Sequence, residues 1–370
     1  MKNKLRKWLG TPMGKEIERA LERVARIEDV AIIAAMPDLH FANAVCVGAV
    51  VATRTMIFPD AVGGDIGCGM AALRFEDYCD ELAEPAVASK LFQLLKELVP
   101  IAKHSSRVAS LPGDLLASEL SAPVLEAKKH SVGRVQFASL GRGNHFVEFQ
   151  RDGEGELWLM VHSGSRGIGQ GIREYHGGGK GALRGIVAES DDGQAYLQDM
   201  SWALLYARES RRRMALEIAR CVEQSLGLRP CWPSYFDCQH NFVRQEEHEG
   251  ERYWVHRKGA ISAQEGESGI IPGSMGSASY HVSGRGNAES LCSASHGAGR
   301  CKSRTEAFGS TSVERLVKEM KGVWFDRRIA NRLRDEAPSA YKDISVVMRA
   351  QRELVRIVRK LQPILVYKGG

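Results

Sequence analysis

The chain has 370 residues, 44% of them apolar and 26% charged, with 51 basic against 45 acidic side chains and a net charge of +6. That makeup excludes a disordered chain, and the mild positive balance permits nucleic acid as a partner without requiring it. The longest uncharged apolar run, Phe41 to Thr53, has 13 residues, short of the roughly 18–20 that a bilayer span needs. In chain order, the basic start Met1 to Lys7 is followed by Gly10 and Pro12 and not by an apolar secretory core. No export signal is read, a cytoplasmic location is expected, and residues 1–13 are expected to be a flexible start. From Gly14 to Val30, apolar residues at three- and four-residue steps predict a helix. Glycine-punctuated β-type runs follow at Val45–Ala52, Gly69–Phe75 and Leu157–His162. The glycine-rich stretch 174–193 is expected to be a mobile surface loop. A second helix is expected from Asp199 to Leu226, with the cationic run Arg208 to Arg213 on a solvated face. Short strands are expected at Tyr253–His256 and Gly259–Ser262, a third helix at Ser345–Leu361 and a terminal strand at Ile364–Tyr367. Helices and strands interleave without a βαβ period, there is no internal repeat and no domain boundary, and the expected fold is one α+β domain over residues 1–370, with irregular mixed sheets flanked by helices.

Eight cysteines without a CxxC pair argue against a disulfide scaffold, a zinc ribbon and a thioredoxin motif, and reduced thiols are expected. The chemistry concentrates in histidines set among glycine and small polar residues. Five of the 11 histidines belong to such strings: Asp38-Leu39-His40, Gly143-Asn144-His145, His162-Ser163-Gly164-Ser165-Arg166, Gln239-His240-Asn241 and Ser295-His296-Gly297-Ala298-Gly299-Arg300. Of the others, His104, His130, His176 and His248 are expected at the surface, while His256 and His281 lie in strand-like runs. Gly64-Asp65-Ile66-Gly67-Cys68-Gly69 adds a carboxylate and a thiol three residues apart in a turn, able to face one ion or to bridge two. A mixed S, N and O donor set suits a first-row metal such as Mn, Fe, Co or Zn. Ser163 to Gly167, Pro272 to Ser277 and His296 to Arg300 offer consecutive small residues whose N–H groups can cup a phosphate, although none is a P-loop or a dinucleotide fingerprint.

Taken together, these strings, with Met36-Pro37, Arg257-Lys258-Gly259-Ala260, Asp335 to Asp343 and Val366-Tyr367-Lys368-Gly369, resemble the RtcB family of RNA ligases. The resemblance implies a ligase that uses GTP and two Mn²⁺ ions to join an RNA end bearing a 2′,3′-cyclic phosphate or 3′-phosphate to a 5′-hydroxyl end, in RNA splicing or repair. It implies His296 as the residue that becomes guanylylated. Asp65, Cys68, His145, His162 and His240 would hold the metals, with Cys68 bridging. Asn144, Glu148, Ser274, Ser279 and Lys368 would contact the guanylate, and Arg166 would sit close to the phosphates. An archease-type activator is a further implied partner, and no membrane is implied. Narrower readings of the same residues are an end-processing phosphoesterase that does not ligate and a non-catalytic RNA-binding relative. The chain departs from the family pattern at Phe41-Ala42-Asn43-Ala44, where glycines are usual, and at Arg208-Glu209-Ser210-Arg211.

Overall fold

Seven antiparallel strands form the larger sheet, in the order Ser268–Ile271, Ser279–Gly284, Val355–Lys368, Phe146–Asp152, Leu157–Ser163, Gly69–Phe75 and Pro230–Gln239. The second sheet has five strands, Leu5–Lys7, Val30–His40, Val47–Thr53, Glu251–Lys258 and Asn241–His248; all its pairings are antiparallel except the first. The structure is a computed structural model that describes residues 4–76, 82, 84–104, 111–177 and 183–369. Helices and sheets belong to one α+β domain. Cys79 lies outside the described residues. No helix among the described residues is long and apolar enough to cross a membrane.

The central strands of the larger sheet are apolar on both faces because both are covered. Leu73, Phe75, Leu159 and Val161 pack against Met200, Ala203, Tyr206, Met214 and Ile218 of the long helix Asp191–Leu226. Met70, Ala72, Trp158 and Met160, the alternating residues, face Ile270 and Leu361 instead. The helix starts where Ser190 Oγ accepts from Gly193 N, with Asp191 and Asp192 in its positive first turn, and it ends at Gly227 with φ +72°.

Several expectations are corrected by packing. The cationic run on this helix is split: Arg208 and Arg212 are exposed, but Arg211 is fully buried. Its guanidinium donates twice to Asp237, at 2.6 and 2.7 Å, and to the carbonyls of Gly67 and Ser163 at 2.8 and 2.7 Å. The expected third helix covers only Ile344–Ala350; a turn over residues 351–354 leads into the strand Val355–Lys368. The β-branched run Val355, Ile357, Val358 favours that strand, and half-exposed Ile357 and Val358 supply no helical apolar face. In the expected flexible start, Leu5–Lys7 pairs with Ile33 to Ala35. The expected loop 174–193 is largely structured: the helix Arg166–His176 runs into it, Ile186–Val187 pairs with Met56–Ile57, and the long helix starts at Asp191, while residues 178–182 lie outside the described residues. His176 and His248 are buried against Asp199 and Glu246, not at the surface.

Candidate active site and metal centre

Four neighbouring strands of the larger sheet present their ends at one place. His145 immediately precedes Phe146–Asp152, His162 sits near the end of Leu157–Ser163, Cys68 immediately precedes Gly69–Phe75, and His240 follows Pro230–Gln239. The register pairs His162 with both Phe146 and Met70, and Gly69 with Gln239, so residues far apart in the chain are brought to one edge. Arg211 locks this edge from below by holding the carbonyls of Gly67 and Ser163 beside two of the site residues.

Cys68 Sγ lies 3.3 Å from Nε2 of both His145 and His162, and the Nε2 atoms of His162 and His240 are 3.2 Å apart. Asp65 Oδ2 is 2.8 Å from His145 Nε2. The outer nitrogens are occupied: His162 Nδ1–H donates to the Asn144 carbonyl at 3.1 Å and His240 Nδ1–H to Asn241 Oδ1 at 3.2 Å. Those hydrogen bonds select the tautomer that turns the Nε2 lone pairs toward the cluster. Asn241 is itself fixed, donating to the Asp65 carbonyl at 3.0 Å and accepting from Gly259 N at 2.8 Å. At Gly164 a Cβ would collide with the Asp65 carboxylate, which is why glycine stands there.

The electrostatics suit a cation. Burial, then neighbouring histidines, pulls His162 and His240 well below the ordinary imidazole range, which keeps both as neutral ligands. Burial pushes Asp65 up, but His145 beside it outweighs this and leaves the carboxyl at about 2. Burial and Asp65 push the Cys68 thiol well up, so a bound cation is what would draw out its proton. The donor atoms of Cys68, His145 and His162 lie within 4.8 Å of one another. Converging lone pairs of S, N and O type, with the outer nitrogens of His162 and His240 satisfied, fit a borderline-soft metal ion.

His296 stands beside this cluster, its ring centroid 4.6 Å from that of His240. Its Nδ1–H donates to Asp38 Oδ2 at 2.6 Å, and its backbone N–H donates to the same oxygen at 3.1 Å. Asp38 is fully buried. The imidazole is therefore oriented by a carboxylate, with Nε2 left free, and Gly259 is required because a Cβ there would press on the His296 ring.

A cleft of about 1000 Å³ opens over His296. It is lined by Asp65, Cys68, His162 and His240 on its floor, and by Asn144, Glu148, Ser274, Ser279 and Lys368 on one wall. Lys368 Nζ pairs with Glu336 at 2.8 Å, both side chains nearly fully buried, and its residue is locked into the sheet opposite Phe146. Glu336 also accepts from Arg300, Arg304 and Tyr341. Burial pushes Glu148 up to about 8, against the pull of the Gln150 amide and Lys368. Ser274 Oγ is 2.8 Å from Ser277 Oγ, and the buried Ser279 Oγ has no hydrogen-bond partner, a polar atom left open on the cleft wall. His145 and Arg166 border a smaller cavity of about 420 Å³ on the other side of Asp65, and Asn144 lines both cavities.

All the candidate residues from the sequence thus fall on one connected cluster and its two cavities. Sequence reasoning missed Asp38 as the partner of His296, together with Asn241, Arg211 and Glu336. Asp38 stood in a string already singled out, but nothing local links it to a residue 258 positions away.

Fold and site define an α+β protein with a buried candidate metal centre next to a carboxylate-held histidine. The sequence profile described as tRNA-splicing ligase RtcB matches residues 20–122 and 116–369, and the chain belongs to the RtcB family. It is similar to the RNA-splicing ligase RtcB of Escherichia coli K12, with 35% identity covering 97% of this chain and 96% of that protein. It is also similar to RNA-splicing ligase RtcB2 of a second Escherichia coli strain, at 32% identity over 95% and 91% of the two chains. The RNA-splicing ligase RtcB of Mycobacterium tuberculosis is 28% identical over 90% of this chain and 96% of its own length.

Proposed function

We propose that this protein is a GTP- and Mn²⁺-dependent RNA ligase that joins 2′,3′-cyclic phosphate or 3′-phosphate ends to 5′-hydroxyl ends, the whole chain acting as one catalytic domain. The observation that carries this reading is the placement of His296: oriented by Asp38 through Nδ1, next to His240, in the cleft that Glu148, Ser279 and Lys368 also line. Asp65, Cys68, His145, His162 and His240 are the residues that would hold the manganese ions. Bound there, the ions supply neutralisation of charge on the transferring phosphoryl oxygens.

Asp38 accepts the Nδ1–H hydrogen bond and leaves the Nε2 lone pair of His296 to bond the α-phosphorus of GTP as pyrophosphate departs. Glu148, when ionised, accepts from the donor edge of guanine, and Lys368 and Ser279 donate to its acceptors. Ser274 and Asn144 complete the guanylate contacts, and Arg166 meets phosphate from the neighbouring cavity. A cyclic phosphate is first opened by water to a 3′-phosphate. An oxygen of that phosphate then attacks the phosphorus held on His296, which regains its Nε2 lone pair. The 5′-hydroxyl finally attacks the activated 3′-phosphate, forming the new phosphodiester and releasing GMP. Splicing or repair RNAs in a cytoplasm, and an archease-type activator, complete the reading.

The test is product analysis on a nicked RNA hairpin with defined ends, given GTP and Mn²⁺. Joined strands that require GTP support the proposal. Opened cyclic phosphates without joining, independent of GTP, refute it in favour of an end-processing phosphoesterase.

A further inference from the structure

The cleft has a second wall, built on the five-stranded sheet. Past His296 it is lined by Leu9, Met13 and Ile17 near the amino terminus and by His40, Phe41 and Lys258. Phe41 is a large aromatic side chain left 41% exposed at this position, while the backbone of the residues just before it is held. The preceding His40 donates from Nδ1 to the Asp38 carbonyl at 2.9 Å, and Lys342 Nζ donates to the carbonyls of Pro37 and Leu39 at 3.0 and 2.7 Å. The ring therefore projects from a segment pinned three residues away from the carboxylate that orients His296.

The cations on this wall hydrogen-bond to backbone carbonyls. Lys258 Nζ reaches the carbonyls of Asn43 and Asp60 at 3.5 and 3.3 Å, and Lys342 likewise meets carbonyl oxygens. Burial lowers both lysines, Lys258 to about 8, against the pull of the Asp60 carboxylate on Lys258 and of Asp38 on Lys342. An open aromatic face with cations beside it, next to a nucleophile, is the chemistry that receives a nucleotide by stacking its base and meeting its phosphate.

We infer that Phe41 is the stacking platform for the 3′-terminal nucleobase of the RNA strand, seating the end that carries the phosphate beside His296. This rests on the ligase reading and assigns the substrate strand to a specific wall of the cleft.

The test uses the full chain and a short 3′-phosphorylated RNA with its 5′ end blocked, carrying the fluorescent base 2-aminopurine at the last or the penultimate position. Binding to the wild-type protein quenches the terminal base much more than the penultimate one. Phe41→Ala loses the terminal quench and binds the RNA about ten-fold more weakly, while Phe41→Trp keeps both. An abasic last nucleotide costs the wild-type protein the same factor and costs Phe41→Ala nothing further. Unchanged quenching in Phe41→Ala, or equal wild-type affinity for abasic and base-bearing ends, overturns the assignment. Labelled GTP is added in parallel. Its adduct on Phe41→Ala shows the fold and nucleotide site intact, whereas failure of the wild-type protein to form it refutes the ligase reading, and the aminopurine result then stands on its own.

Discussion

Lys368 and Lys258 line the same cleft, yet they are held in opposite ways. Lys368 is buried in an ion pair with Glu336, which also gathers Arg300, Arg304 and Tyr341, so the cations of this wall meet a carboxylate. Lys258 and Lys342 on the other wall rest on carbonyl oxygens. The difference teaches how one cleft can serve two ligands. A preorganised wall whose cations are paired with carboxylates suits an uncharged purine read by its hydrogen-bonding edge. A wall whose cations hydrogen-bond to neutral carbonyls, beside an exposed aromatic ring, suits a strand that brings its own phosphates.

The largest effects are expected where both walls meet the floor. Cys68→Ala removes the donor shared by His145 and His162, and manganese affinity measured by equilibrium dialysis should fall by about a hundredfold or more. Retention of wild-type affinity would separate the cleft from any metal. Next comes the lock beneath the floor. Arg211→Ala strands Asp237 and two carbonyls, and it should destabilise the protein by about 3–5 kcal/mol in urea unfolding.

The ion-paired wall predicts its own pH dependence. Glu148 sits at about 8 when folded, against an ordinary 4.5, so between those values the folded protein holds one proton more than the unfolded chain. Stability must then fall as pH rises from about 5 to 8, by an amount on the order of a few kcal/mol, and Glu148→Gln should flatten that slope. Affinity for guanosine nucleotides should rise over the same window as the carboxylate ionises. Equal slopes for wild type and Glu148→Gln would show that this wall carries no such stored protonation.

Much of this was legible in the sequence. The helix at residues 15–25 and the strands Gly69–Phe75 and Leu157–Ser163 follow from local periodicity, and histidines embedded in glycine marked the floor before any coordinates did. Illegible were the pairings that only tertiary structure creates. Asp38 meets His296 across 258 positions of the chain, and Arg211 hides in a cationic run in which Arg208 and Arg212 face solvent. The segment after residue 350 misled because its apolar residues fit a helix and a strand equally well. Antiparallel pairing with Ser279–Gly284 and Phe146–Asp152 decided for the strand.

The smallest effect sharpens the same contrast. Arg212→Ala, one residue from the buried lock, should change stability by no more than about 0.5 kcal/mol, because its pairing with Glu209 is solvent-exposed. Its RNA affinity should keep the wild-type dependence on salt, and a shallower slope would place this helix on the RNA path.

The most direct test of the central claim is to incubate the protein with labelled GTP and Mn²⁺ and map the adduct by mass spectrometry. The wild-type chain should carry GMP on His296 in an acid-labile, base-stable linkage, Asp38→Asn should form it about a hundredfold more slowly, and His296→Ala should form none. An adduct that survives His296→Ala, or its absence from the wild-type protein loaded with metal, would contradict the account.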